Sequence, residues 1–383
     1  VRVADTVVGD PFFARLLETL NSPDIGYARP PGPSAGLDLG VGEARYPLPS
    51  NLCEAIGRIA GQADRQWYGD PRGYAPLRAA YLADLCEAGG RDAAVLITCG
   101  GKEAAGLAVR YLLYHHRGPI LAPSPGWQPY TLWAEAAGAP VIGYDPIAAS
   151  RDPGIVTRAL VGTQPGVLVL NYPHNPTGIG MDQAVMDEII AAAVRSGVAV
   201  ISDEVYRVFG DPTGVSAAAA PAWDPHRHLI VDSVSKSLTV AGLRVGFLVA
   251  DRTVVEALAA YRGAYASHTG VLSQRVAAEL LTSAVARSWF AEVRRNVAAT
   301  RTETAAVLTG AGVKVISHGA LYLWCAATNP AALLPTTPGA VPAQVSDGSG
   351  FGAPGRVRVC TARDGLDAAA AAAGVIETLR RRG

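Results

Sequence analysis

Between residues 94 and 231 short apolar runs alternate with longer stretches of helical periodicity. Ala94 to Thr98, Pro119 to Ala122, Val141 to Tyr144, Val167 to Leu170, Val198 to Ser202 and His228 to Val231 are dominated by aliphatic and β-branched side chains, and each reads as a strand. Lys102 to His115, Tyr130 to Ala137 and Met181 to Ser196 lie between them and read as helices. Strands without polar alternation, separated by helices, predict an α/β fold with a mostly parallel central sheet and helices on both faces. Upstream, Phe12 to Leu20 reads as a short helix and Pro30 to Gly36 as a linker. Ser50 can cap a helix that carries Leu52 and Ile56, Trp67 to Gly73 is a loop, and Ala75 to Ala88 reads as a helix. After about residue 275 the pattern turns helical: Ser288 to Leu308 predicts one long helix or a broken pair. Ala320 to Trp324 and Arg356 to Val359 then read as strands, and Asp367 to Arg381 as a closing helix. The change of rhythm predicts a large domain over residues 44–277 and a smaller α+β domain over 278–383, with an N-terminal segment, 1–43, packing beside the smaller one.

A chain of 383 residues suits two domains, and 49% apolar against 17% charged residues allows a large core. The formal net charge of zero lacks the basic footprint that nucleic acid or an anionic membrane surface requires. No run approaches the roughly 20 apolar residues of a membrane span. Val1 to Asp5 lack the charged and apolar regions of a signal peptide, so the expected location is cytoplasmic. The five cysteines, Cys53, Cys86, Cys99, Cys325 and Cys360, are scattered and never in C-x-x-C spacing. That predicts reduced thiols and no metal site. The histidines do not form H-E-x-x-H either.

In parallel sheets ligands sit beyond the carboxyl ends of the strands. The unusual residues of this chain fall there: Gly100-Gly101, Trp127, Asn175, Asp203 and Lys236. The run His228 to Val231 ends abruptly in Asp232-Ser233-Val234-Ser235-Lys236-Ser237. Taken singly, Lys236 reads equally well as a salt-bridge partner, Asp203 as a helix cap and Trp127 as core. Asn171 to Gly178 is a turn, with two asparagines and two prolines in the stretch. Taken together, Asn175-Pro176-Thr177-Gly178, Ser202-Asp203-Glu204 with Tyr206, and Ser233-Val234-Ser235-Lys236 followed by Arg244 are more specific. In this order the chain resembles the pyridoxal-phosphate enzymes of the aspartate aminotransferase fold, class I/II, from Gly42 to Arg358.

The resemblance implies a role for each residue. Lys236 would carry pyridoxal 5'-phosphate as a Schiff base and later move the substrate proton. Asp203 would keep the pyridine nitrogen protonated. Asn175 and Tyr206 would donate to the cofactor's phenolic oxygen, and Trp127 would stack on the ring. Gly100, Gly101 and Lys102 open a helix whose N-terminus would bind the phosphate. Many relatives carry a small or hydroxyl residue where Lys102 stands, and its side chain is free to point to solvent. Ser233 and Arg244 would complete the phosphate cup, and Tyr68 would reach the phosphate of a neighbouring subunit in a homodimer. Arg358 would bind the substrate carboxylate bidentately, beside Gly42 and Asn175. Strand alternation alone allows Arg356 as well as Arg358. Where relatives carry Pro-Gly-x-x-Phe-Gly, this chain has Asp347-Gly348-Ser349-Gly350-Phe351-Gly352, so this loop departs from the pattern. No second arginine for a side-chain carboxylate stands out; Arg262 and Arg275 are candidates by region, with surface positions expected for both.

The implied activity is amino-group exchange between an amino acid and a 2-oxo acid by a ping-pong route. The same fold and cofactor also serve elimination, cyclisation or oxidation, and the cofactor motifs do not separate these outcomes. A regulator built on this fold would need an attached basic DNA-binding module, for which residues 1–36 are too short and too poor in charge. A nicotinamide dehydrogenase would carry G-x-G-x-x-G, which Thr98 to Glu103 lacks.

Overall fold

The computed structural model describes residues 37–62, 67–87, 93–210, 214–327 and 341–381. The expected helix Phe12 to Leu20 and linker Pro30 to Gly36 lie outside the described residues. The apolar runs become strands of one sheet: β1 (Ala94–Thr98), β2 (Ile120–Pro123), β3 (Val141–Tyr144), β4 (Val167–Asn171), β5 (Ala199–Asp203), β6 (His228–Ser233) and β7 (Gly246–Ala250). Their order across the sheet is β1-β7-β6-β5-β4-β2-β3. β7 pairs antiparallel with both β1 and β6, and the remaining pairs are parallel.

Both faces of this sheet are buried, which is why the runs are apolar without alternation. Leu168, Leu170, Val200 and Ile230 pack into one cluster, while their neighbours Val167, Val169, Ile201 and Val231 pack into the other. Helices Gly100–His115, Pro129–Ala136 and Arg252–Gly263 cover the second face. Helices Ala75–Glu87, Gln183–Arg195 and Val271–Thr282 supply apolar residues to the first.

A second, antiparallel sheet has the order β10-β11-β9-β8, built from β8 (Val315–Gly319), β9 (Tyr322–Ala326), β10 (Ser346–Asp347) and β11 (Arg356–Cys360). Residues 37–46 lie against it through Leu39 N to Gln344 O, Cys360 N to Leu39 O and Arg45 N to Ala362 O. The uncertain stretch from Ser288 is one unbroken helix, Ala284–Gly310. It buries Phe290 with the large-sheet core and Ala305 and Leu308 with the small-sheet core, so a single rigid rod ties the two sheets together.

Several details differ from the expectations. Ser50 is the first residue of helix Ser50–Ala60 and not its cap; Pro49 holds the cap position and makes no side-chain bond. Its fixed φ suits that entry without a hydroxyl. The strands β7 and β8 and the helices Gly154–Thr163, Arg252–Gly263 and Val271–Thr282 were not anticipated. β7 begins in glycine and follows Arg244, and β8 contains Ser317 and His318, so neither presents a clean apolar run. Among the described residues no helix is long and apolar enough to cross a membrane, and no acid, histidine or thiol cluster could hold a metal.

Candidate active site

The carboxyl ends of β4, β5 and β6 place Asn171, Asp203 and Ser233 side by side, with Asn171 and Asp203 in register. They open into a cavity of about 480 Å³ between the two sheets. Its walls include Gly42, Gly101, Lys102, Trp127, Asn175, Asp203, Tyr206, Ser233, Lys236, Arg244 and Arg358. Thus eleven residues predicted from sequence are brought to one place. Gly100 does not line the cavity; it is buried behind Gly101, against Arg244. Tyr68 does not line the cavity: it is 90% exposed and touches His268 edge-on.

Lys236 stands on a single helical turn, Val234–Ser237, begun by the Ser233 hydroxyl accepting from Ser235 N at 3.1 Å. Its ammonium donates to the Gly42 carbonyl. Burial pulls its pKa down to about 8, and the charges of Arg358 and Arg244 act in the same direction. Across the cavity Asp203 is buried, accepts from the Tyr130 hydroxyl and from Val205 N at 3.2 Å, and has no ion-pair partner among the described residues. Burial raises its pKa to about 6. Asn171 fixes the turn beside it, donating to Asp203 O at 3.1 Å and accepting from Asn175 N at 3.0 Å.

One end of the cavity is a cup. Gly100 begins helix Gly100–His115 at φ 76°, where a Cβ would overlap the Arg244 guanidinium. Arg244 itself holds the left-handed region at φ 56°, and a side chain held there against its preference marks a constrained position. Its guanidinium bonds Ala241 O at 2.9 Å. Lys102 is exposed, as expected, yet it also lines the cavity, with its amine 5.7 Å from the centre of the Trp127 ring. Trp127 in turn meets Tyr130 and Trp133 edge-on.

The other end is set by the small sheet. Of the two arginines on β11, Arg356 is exposed and Arg358 is 5% exposed inside the cavity. Arg358 donates to Asn175 Oδ1 at 2.7 Å, Gly40 O at 2.7 Å and Ser346 Oγ at 3.0 Å. Its guanidinium is flanked by the rings of Tyr322 and Phe351 at 4.7 and 4.8 Å. The divergent loop therefore contributes through Phe351, whose carbonyl also accepts from Gly126 N at 3.0 Å beside Trp127. Asp347, the residue at which this loop departs from the expected pattern, caps the following turn by accepting from Ser349 N at 2.9 Å.

Arg262 is a correction. It is buried, not at the surface, and is committed to Glu103 Oε1 at 3.0 Å, Ile97 O at 3.2 Å and Thr269 Oγ1 at 2.8 Å. Glu103 also accepts from Cys99 N at 2.5 Å, so Arg262 anchors the turn before Gly100. Arg275 bonds Gln62 at 2.9 Å and does not line the cavity. Sequence reasoning missed Tyr130, Tyr322, Glu43 and Gln128 as cavity or wall residues. Tyr130 lies in the first turn of helix Pro129–Ala136, just after the Trp127 loop, and that nearness in sequence was the available signal. Nothing in the spacing of Tyr322 pointed to the site.

The family described as aminotransferase class I and II matches residues 34–372. The chain belongs to this family. Histidinol-phosphate aminotransferase 2 of Rhizobium meliloti is 29% identical over 286 residues, 75% of this chain and 76% of that protein. Aspartate/prephenate aminotransferase of Thermus thermophilus is 26% identical over 296 residues, 74% of this chain and 75% of that protein. The fold matches the structure of aspartate aminotransferase from Thermus thermophilus with a TM-score of 0.77 at 23% identity, covering 97% of this chain and 96% of that one. The aromatic aminotransferase of Pyrococcus horikoshii matches with a TM-score of 0.77 at 22% identity, covering 90% and 95%. This aminotransferase family typically uses pyridoxal phosphate, and the residues of the cavity fit that group. Asp203 is a buried acid without an ion-pair partner among the described residues, Lys236 is a buried amine, and the absence of a side chain at Gly100 lets the Arg244 guanidinium approach the helix N-terminus.

Proposed function

We propose that this aminotransferase binds pyridoxal 5'-phosphate on Lys236 and moves an amino group between an α-amino acid and a 2-oxo acid by a ping-pong route. The observation that carries the proposal is Asp203: a buried carboxylate without an ion-pair partner among the described residues, in one cavity with the Lys236 amine. Such an acid suits a protonated ring nitrogen. The cofactor, when bound, supplies an electron sink for the carbanion at the substrate α-carbon.

The chain's own groups then divide the work. Lys236, depressed to about 8, has an appreciable free-base fraction near neutral pH and can take and return a proton at Nζ. Helix Gly100–His115, Ser233 and Arg244 hold the phosphate, with Lys102 adding charge beside the Trp127 ring that orients the pyridine. Tyr206 and Asn175 would donate to the cofactor's phenolic oxygen. Arg358 takes the substrate carboxylate, since its guanidinium is aimed by Asn175, Gly40 and Ser346 before any substrate arrives. Residues 44–277 form the cofactor domain, and 278–383 with the preceding N-terminal segment form the smaller one. A homodimer places Tyr68 at the partner's phosphate. Its high exposure supports this, as do Tyr114, Tyr261 and Tyr265, exposed aromatics that line one surface groove.

A single-turnover screen of amino acids tests the proposal. The purified protein should take up pyridoxal phosphate and absorb in the visible, and Lys236→Ala should lose that band. Clean conversion to the pyridoxamine form is the expected product of the productive donor. Failure of the wild type to take up the cofactor would overturn the reading. Release of ammonia, peroxide or a cyclic product would replace transfer with elimination, oxidation or cyclisation.

A further inference from the structure

We propose that the Tyr322 hydroxyl is a positioning group for the reaction, donating its hydrogen to Tyr206 and so strengthening the bond that Tyr206 makes to the cofactor. The inference rests on the reading of Tyr206 as facing the cofactor's phenolic oxygen.

The two tyrosines come from different sheets. Tyr206 follows β5 at the head of a short 3-10 turn, and Tyr322 opens β9. Both are buried, and their hydroxyl oxygens are 2.5 Å apart. Each phenol carries one hydrogen and can also accept. If the hydrogen of Tyr206 goes to the cofactor oxygen, the contact between the tyrosines needs the hydrogen of Tyr322. Burial raises Tyr322 to about 12 and Tyr206 well above its ordinary value, so both remain hydroxyls at working pH.

A hydroxyl that accepts one hydrogen bond donates a stronger one. A stronger bond to the phenolic oxygen weakens that oxygen's hold on the proton at the Lys236 nitrogen. The nitrogen then loses its proton at lower pH. The site is built around this hydroxyl: a Cβ on Gly42 would overlap it, so glycine at 42 makes its space. The Tyr322 ring also lies under Arg358, which couples the cofactor's oxygen to the substrate's carboxylate site through one side chain. The charged and titratable groups facing the pair are Arg358, Cys360 and Arg363 from the β11 side, Asp203 from β5, Lys236 over the Tyr206 ring at 5.9 Å, and Glu43 near Lys236. Tyr322→Phe leaves all of them in place.

The experiment is a pH titration of the visible band in pyridoxal-phosphate-loaded wild type, Tyr322→Phe, Tyr206→Phe and the double variant. Tyr322→Phe should raise the midpoint by about 0.3–0.5 unit, a fraction of the ~0.7 unit that one whole hydrogen bond of average worth represents. Tyr206→Phe should raise it further, and the double variant should match Tyr206→Phe alone. A Tyr322→Phe midpoint equal to wild type while Tyr206→Phe shifts would overturn the proposal alone, as would additive shifts in the double variant. No shift in Tyr206→Phe would overturn the reading of Tyr206 on which it rests. Because Phe keeps the ring under Arg358, a structural role for Tyr322 predicts no change of midpoint.

Discussion

Arg358 shows how much of a functional residue is readable at its own scale. The spacing on β11 allowed Arg356 or Arg358, and strand alternation puts both on one face. Their fates differ because β9 pairs along the whole of β11 but β10 covers only Val357 and Arg358: Arg358 lies between Trp324 and Ser346, whereas Arg356, paired with Ala326 alone, sits at the exposed end. Arg358 can therefore be desolvated and held by three acceptors, which Arg356 cannot. Arg358→Ala should raise the KM for the amino acid donor by about 100-fold, as expected for a lost charge-assisted pair of roughly 3 kcal/mol. Pyridoxal-phosphate affinity should stay within a few-fold of wild type. Comparable losses in both, measured by steady-state kinetics and cofactor titration, would show that Arg358 serves the cofactor instead. Arg262, by contrast, was placed at the surface because arginine usually is. It is buried since Glu103, Thr269 and the Ile97 carbonyl satisfy its donors, a set no sequence window contains.

At the scale of elements, the turn between β1 and helix Gly100–His115 is the most constrained piece. Gly100 needs its positive φ to bring the helix N-terminus round, and it needs the absence of a Cβ to let Arg244 approach. Gly100→Ala combines backbone strain with a steric clash. We expect destabilisation of about 1–3 kcal/mol and a cofactor affinity at least roughly tenfold weaker. Urea unfolding and cofactor titration measure the two effects, and a variant with native affinity would remove Gly100 from the cup. The strands and helices whose apolar pattern was clean were visible in advance, as β3 was to the residue. β7 was not, because an antiparallel strand inserted between β1 and β6 leaves no mark in an alternating β-helix rhythm. It nonetheless positions the site: Val245, just before it, holds the Ser233 hydroxyl through its carbonyl at 2.9 Å.

At the scale of the whole molecule, three acids are buried among the described residues, Asp203 in the cavity wall with Glu204 and Asp232 close by, and burial raises all three, which sets a pH dependence. Burial raises Asp203 from 3.8 to about 6 in the folded, cofactor-free chain. Between those values the folded state binds more protons than the unfolded one, so stability should fall as pH rises through the window. Asp232, raised by burial from 3.8 to about 7 despite Arg207 nearby, extends the same trend upward. Asp203→Asn should flatten the part below about pH 6, as read from urea unfolding free energies of the cofactor-free protein between pH 4 and 7. An unchanged slope would mean that Asp203 is already charged at pH 4. Bound pyridoxal phosphate should flatten it too, because a cation beside Asp203 favours the carboxylate.

The sequence by itself determined the alternating architecture, the turn at Asn171 to Gly178 and the set Lys236, Asp203, Asn175 and Arg244. Asp203 lies at the end of an apolar run and Asn175 and Lys236 a few residues beyond one, while Arg244 precedes the run Val245 to Ala250; it was their order along the chain and the family resemblance it carries, not any single position, that marked the set. Only the tertiary structure decided which arginine of β11 is buried, that Tyr130 meets Asp203, and that Tyr322 meets Tyr206. The reason is physical. These contacts join residues far apart in the chain, Tyr206 and Tyr322 across two sheets. Their formation depends on how the sheets pack and what burial does to each group, and neither quantity is encoded in local spacing.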